Sequence, residues 1–239
     1  MQAETEREKN KMYKYRVETH LHTSQGSACA VSTGAEMASG SKQYGCCAIV
    51  VTDHFFNGNT AVRENLSWDE KITLFMQGYE DAKCEGDKIG LNVFFGFEYN
   101  SNGAEFLIYN YGEEKLRAYP EIMSDSLEMV LSKIRNEGGF VVHAHPFRDE
   151  LYIRQPGRIF PKLVDAVEVI NTKNRNEVNR SALKYAEKYD LIKFSGSDTH
   201  RNDPEEGGLM LARKPESISD IIDMARKNEY IMLGESFLK

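Results

Sequence analysis

A chain of 239 residues, 41% hydrophobic and 28% charged, has the length and balance of one globular domain, which excludes the disordered, collagenous and membrane-embedded classes. Its 30 Lys and Arg stand against 37 Asp and Glu, a net charge of −7 without a dense basic stretch, so long-range attraction to a nucleic-acid backbone is disfavoured while small anionic substrates are not.

Residues 1–14 read as a charged extension lacking the apolar core of a secretory signal, and no apolar run reaches the roughly 18 residues of a membrane span. A single cytoplasmic domain over 1–239 is expected. The first strand is expected over 16–22. Thr33, with Glu36 three residues on, forms a capping box that opens a helix over 33–44. The run CCAIVVT at 46–52 suits a strand buried on both faces. Ser67 with Glu70 repeats the box for a helix over 67–85. Strands follow over 91–98 and 104–110, then a helix over 124–137 stopped by Gly138 and Gly139. Strands over 139–144 and 164–170, a helix over 175–189, a strand over 191–196 and a helix over 217–228 capped by Ser217 complete the alternation. Such an order predicts a mostly parallel sheet with right-handed crossovers; a closed barrel would gather the loops after the strands on one face.

All six histidines fall in four short segments, THLHT, TDHFF, VVHAHPF and SDTH, each after an apolar strand. Side chains two apart on a strand share a face, so His20 and His22 can converge, as can His143 and His145, or Asp198 and His200 if the chain stays extended, although His143, lying deeper than His145, fits an orienting or core place as well. Imidazoles mixed with carboxylates suit Zn, Mn or Fe. Asp53 should face away from its neighbour His54, in a capping or orienting role, and Glu168 ends a strand in a structural or substrate-contacting role. Cys29, Cys46, Cys47 and Cys84 contain no CxxC pair and read as reduced structural thiols.

Taken in order, THLHT (19–23), VTDH (51–54), GFEYN (96–100), VVHAHPFR (141–148) and GSDTH (196–200) resemble the polymerase and histidinol phosphatase (PHP) superfamily. The resemblance implies a distorted (β/α)7 barrel with two or three divalent ions (Zn, Mn or Fe) at the strand C-termini, hydrolysing phosphate esters. By that resemblance His20, His22, Glu98 and Asp198 form a first metal site, and Glu98 bridges to a second that includes His145. Glu105 stands where many members have a further histidine, and a carboxylate can serve there. A third site would use His54 and His200 with an Asp or His soon after the HxH; SQGSACA at 24–30 has neither, so His54 and His200 either hold a weak ion or act directly on phosphate as contacts or proton donors. Two ions are favoured, with a water activated between them attacking phosphorus.

Arg148, directly after HPF, is the expected phosphate contact; Arg154, Arg158, Lys173 and Arg175 fit solvated surface charge as well or better. The expected substrate is a small phosphate monoester. A phosphodiesterase or exonuclease on nucleic-acid ends ranks second, and a non-catalytic PHP module third.

Overall fold

The computed structural model describes residues 12–150, 157–203 and 206–239. Arg154 and residues 1–11 of the charged extension lie outside the described residues. Among the described residues no helix is long and apolar enough to cross a membrane.

The two capping boxes start the helices they predict. Thr33 accepts from the Glu36 backbone at the head of α1 (Gly34–Gln43), and Ser67 does the same for Glu70 at the head of α2 (Trp68–Ile89), which ends on a left-handed Gly90. Ahead of them lie β1 (Tyr15–Leu21) and, between them, β2 (Cys46–Val51). Next come β3 (Asn92–Ser101), β4 (Ala104–Tyr109), the short α3 (Glu113–Arg117), α4 (Leu127–Asn136) and β5 (Phe140–Ala144). The expected helix over 124–137 starts later because Ser126, not Ser124, supplies the cap, and Pro120–Met123 forms a separate 3-10 turn. β6 (Ala166–Asn171), α5 (Asn176–Lys188), β7 (Ile192–Gly196), β8 (Leu209–Leu211), α6 (Ile218–Arg226) and β9 (Tyr230–Met232) complete the chain. β8 and β9 were absent from the expectation: three residues each give periodicity nothing to act on.

The sheet order is β7-β6-β5-β4-β3-β2-β1-β8-β9. Neighbours are parallel from β1 to β3 and from β5 to β7, but β4 runs antiparallel to both β3 and β5. β4 is an exception to the mostly parallel order expected from sequence: Asn102 (φ 53°) and Gly103 (φ 87°) make a left-handed two-residue turn that folds β4 straight back on β3. Inversion puts the start of β4, with Glu105, beside the end of β5, where Glu105 pairs with Ala144.

Past its ladder with β2, β1 reaches the segment just after β7 through a parallel bridge between Leu21 and Thr199, with the His22 amide donating to Thr199 at 2.9 Å. β8 covers the opposite end of β1, pairing with Tyr15–Val17. The sheet is therefore a nearly closed barrel. One core cluster combines Val17, Val50, Leu107, Tyr109, Val142 and Phe194 from the strands with Ile221, Ile222 and Met224 of α6. Tyr109, Phe140 and Phe194 lie with ring centroids 5.9–6.5 Å apart, and the buried Tyr109 hydroxyl donates to the Thr19 carbonyl at 2.7 Å. This ties the apolar layer to the strand that carries His20 and His22.

Candidate metal centre

Strand alternation sends His20 and His22 to the same side, both fully buried. Their Nδ1 atoms are occupied. His20 Nδ1 is 2.9 Å from Glu168 Oε1, which can only accept, so that nitrogen carries the proton. His22 Nδ1 is 3.0 Å from Ser27 Oγ, whose single proton goes to Asp53 at 2.7 Å, so Ser27 accepts from His22. In the neutral tautomers both Nε2 atoms then present lone pairs, and they face each other at 3.1 Å. Two facing lone pairs repel unless a cation or a proton lies between them.

Carboxylates close around the same point. His20 Nε2 is 3.4 Å from Glu98 Oε1 and 3.5 Å from Asp198 Oδ1; His22 Nε2 is 3.7 Å from Glu98 Oε2 and 3.2 Å from Asp198 Oδ1. Ligands about 2.0–2.1 Å from a tetrahedral ion stand about 3.3–3.4 Å apart, close to these separations. Glu98 extends the cluster: its Oε1 lies 3.1 Å from His145 Nε2, which is 3.7 Å from Glu105 Oε2. Glu98 Oε2 lies 2.7 Å from His54 Nδ1, out of hydrogen-bonding alignment, so both atoms are buried without a hydrogen-bond partner. These unpaired atoms and the mixed N/O donors fit divalent ions of the Zn, Mn or Fe class.

Electrostatics without the ions agree. Burial opposes charge on His20, but Glu168, Asp198 and Glu98 outweigh it and hold its pKa well above the usual imidazole value, so a proton stands where a cation would. Burial, then the neighbouring His54, drives His22 far below its usual value and keeps it neutral. Burial opposes ionisation of Glu98 and Asp198, yet His54 and His20 hold Glu98, and Arg148 and His20 hold Asp198, well below the carboxylate range. Burial, then the Glu98 charge, raises Glu105.

Two ligand candidates sit where an L residue rarely goes: His145 at φ 28° and Asp198 at φ 54°. The chain leaves the extended state at the ends of β5 and β7, and this separates residues the period of two would join. His145 turns into the centre, while His143 stays in the core, stacked 5.0 Å from the Phe106 ring, with burial lowering its pKa to about 3. Of the two places open to His143, beside His145 or deeper in the core, it takes the core. Asp198 and His200 do remain together, His200 Nδ1 donating to the Asp198 carbonyl at 2.9 Å.

Arg148 uses Nη2 on Asp198 at 2.6 Å and Asn171 at 2.9 Å, and Nε on Asn174 at 3.0 Å. It therefore fixes the Asp198 carboxylate while also lining a cavity of about 620 Å³ with Cys29, His54, Asn57, Glu105 and His200. Arg158 lies over the Phe160 ring at 5.0 Å. Asp53 has the orienting role expected of it, accepting from Thr23 Oγ1 at 2.6 Å as well as from Ser27. Glu168, half-resolved from sequence, accepts from the His145 amide at 3.0 Å besides holding His20. Glu18 was missed: its buried carboxylate accepts from the amides of Thr19, His20 and Ser197 and so clamps β1 to the end of β7. The four cysteines are all free; Cys46 is buried, but Cys29 and Cys84 are exposed, which corrects the reading of all four as structural.

The fold matches solved structures. A two-domain protein from Bacteroides vulgatus containing a predicted PHP-like metal-dependent phosphoesterase superposes with a TM-score of 0.68 at 13% identity, over 91% of this chain and 64% of that one. The two share one fold. A Bifidobacterium adolescentis protein ascribed to the metal-dependent phosphoesterases gives a TM-score of 0.52 at 16% identity, covering 80% of this chain and 90% of its own. An amidohydrolase from Chromobacterium violaceum, with bound sulfate and no metal, gives 0.53 at 14% identity over 90% and 97%. In sequence, an uncharacterized protein of Methanocaldococcus jannaschii is 39% identical over 79 residues, which is 29% of this chain and 32% of that one. This chain thus spans about a third of that relative and under two thirds of the Bacteroides protein. No family model matches the sequence.

Proposed function

We propose that this PHP-fold chain is a metal-dependent hydrolase of phosphate esters, acting on a small phosphate monoester. The observation that carries the reading is the pair of Nε2 lone pairs of His20 and His22, locked by Glu168 and by Ser27 with Asp53, facing one point with Glu98 and Asp198. His20, His22, Glu98 and Asp198 would hold one ion, and Glu98, His145 and Glu105 a second. When bound, the ions supply an activated water and positive charge for the phosphoryl oxygens. Every other contribution comes from the chain. The barrel core closes the inner side of the cage, Glu168 and Asp53 fix the tautomers, and Arg148 holds Asp198 while facing the cavity.

A small substrate is favoured by the cavity, whose volume is of the size of small-molecule pockets. Among the described residues Arg148 is the one Lys or Arg that lines it, whereas a nucleic-acid strand would want a basic groove. His54 and His200 stand at the cavity wall, suited either to proton transfer or to metal ligation.

The test is hydrolysis of an aryl phosphate monoester, the matching diester and an aryl amide, with and without added manganese or zinc. Metal-dependent monoester turnover supports the proposal. Diester preference moves the chain to the phosphodiesterase reading, and amide turnover alone moves it to hydrolysis at carbon, the chemistry named for the Chromobacterium protein. Stoichiometric metal with none of the three activities leaves the non-catalytic module.

A further inference from the structure

Glu168 and Asn171 stand three apart on β6, a spacing that sends side chains to opposite faces of a regular strand. Yet Asn171 Nδ2 donates to Glu168 Oε2 at 3.0 Å. A register shift explains this. Glu168 pairs with Phe194 and Ile170 with the very next residue, Ser195, so β6 carries one extra residue there and the side chain beyond it is turned back to the metal centre. Asn179 of α5, fully buried, then holds the strand end, accepting from the Asn171 amide at 3.2 Å and donating to its carbonyl at 3.1 Å. The buried Asn171 side chain has all four of its hydrogen-bonding positions in use. Its Nδ2 donates to Glu168 and, at 3.3 Å, to Asp198 Oδ2, while its Oδ1 accepts from Arg148 Nη2 at 2.9 Å and from the Lys173 amide at 3.0 Å. A carboxamide answers that demand, since the guanidinium needs an acceptor and the two carboxylates need donors. Asn174 adds a second hold: its Oδ1 accepts from Arg148 Nε at 3.0 Å, and its Nδ2 donates to Asn179 Oδ1 at 3.3 Å.

We propose that Asn171 and Asn174 are positioning residues for the phosphate group of the substrate: together they fix the plane of the Arg148 guanidinium at the cavity wall. Asn171 also ties that plane to Asp198 Oδ2, which leaves Asp198 Oδ1, 3.2 Å from His22 Nε2, for the cation. The inference rests on the phosphate-ester reading above. Guanidinium and phosphate meet best as matched planar forks, and a guanidinium already held in its plane gives up less freedom when it grips the anion. Both residues act through Arg148, and neither is a catalytic residue.

Inorganic phosphate is the probe. Calorimetric titration of the full chain, loaded with zinc and dialysed, reads its affinity without turnover. Arg148→Ala should weaken phosphate binding, and Asn171→Ala and Asn174→Ala should each weaken it about tenfold, the scale of one hydrogen bond to a charged group. In the Arg148→Ala background the same two substitutions should change it by less than about twofold, because residues that act through a third lose their effect when it is gone. With an aryl phosphate monoester the loss should fall on KM more than on kcat. Circular dichroism checks each fold, and Asn174→Ala, at a half-buried residue, carries the test where Asn171→Ala does not fold. Wild-type phosphate affinity in the Arg148 or both Asn variants, or equal losses in the two backgrounds, overturns the positioning role and leaves the phosphate-ester reading standing. A zinc-loaded wild-type chain that neither binds phosphate nor hydrolyses the monoester overturns that reading and this inference together.

Discussion

Replacing Glu168 by Gln leaves the shape of the site almost unchanged and removes one acceptor. Glu168 Oε1 receives His20 Nδ1 at 2.9 Å, and Oε2 receives the His145 amide at 3.0 Å and Asn171 Nδ2 at 3.0 Å. All three partners donate, so whichever way the Gln amide is turned its NH2 meets a donor. With the carbonyl kept toward His20, Asn171 can still use Asp198 Oδ2 at 3.3 Å, but the His145 amide has no relief. One buried donor left unsatisfied costs about 1–3 kcal/mol of stability. His20 also loses its anionic partner, and removal of such a partner lowers metal affinity by roughly 10–100-fold, about 1.4–2.8 kcal/mol. Competition with a chromophoric chelator measures the affinity, and denaturant unfolding of the metal-free protein measures the stability. Wild-type values for both would refute the claim that Glu168 sets the His20 tautomer and supports His145.

Three further outcomes follow from the same geometry. A Cβ on Gly196 would lie 2.5 Å from Glu168 Oε1 and 2.7 Å from His20 Cβ, so Gly196→Ala should lower metal affinity at least tenfold without touching a ligand atom, as the same chelator competition would show. His143→Leu should leave the metal content unchanged and alter stability by less than about 1.5 kcal/mol, since His143 is a neutral core residue; lost metal in elemental analysis would return it to the site. Metal uptake should release protons, because His20 holds one in the metal-free protein; apparent affinity therefore rises with pH and falls on acidification. Calorimetry in two buffers of different ionisation enthalpy would give identical heats if no proton were released, contrary to this account.

Much of the fold was legible because its signals are local. Thr33 with Glu36 and Ser67 with Glu70 cap the helices they announce, and the apolar run from Cys46 marks a buried strand. The inverted β4 had a local signal too, the Asn102–Gly103 turn, whose weight is clear only once β3 and β4 are paired. The metal ligands were legible as residue types at strand ends, yet the period of two could not separate His143 from His145, because the separation depends on a left-handed backbone at His145. Partners distant in sequence stayed out of reach. Glu18 meets Ser197 across 179 positions, and Glu168 meets His20 across 148.

The central claim is that His20, His22, Glu98 and Asp198 share a cation. Elemental analysis of the purified chain and of His20→Ala and Asp198→Ala, each equilibrated with zinc or manganese, dialysed, and checked for its fold by circular dichroism, tests it most directly. The account predicts at least two ions per wild-type chain and at least one fewer in each folded variant. A wild-type chain that retains neither metal, or folded variants that keep the full complement, would contradict it.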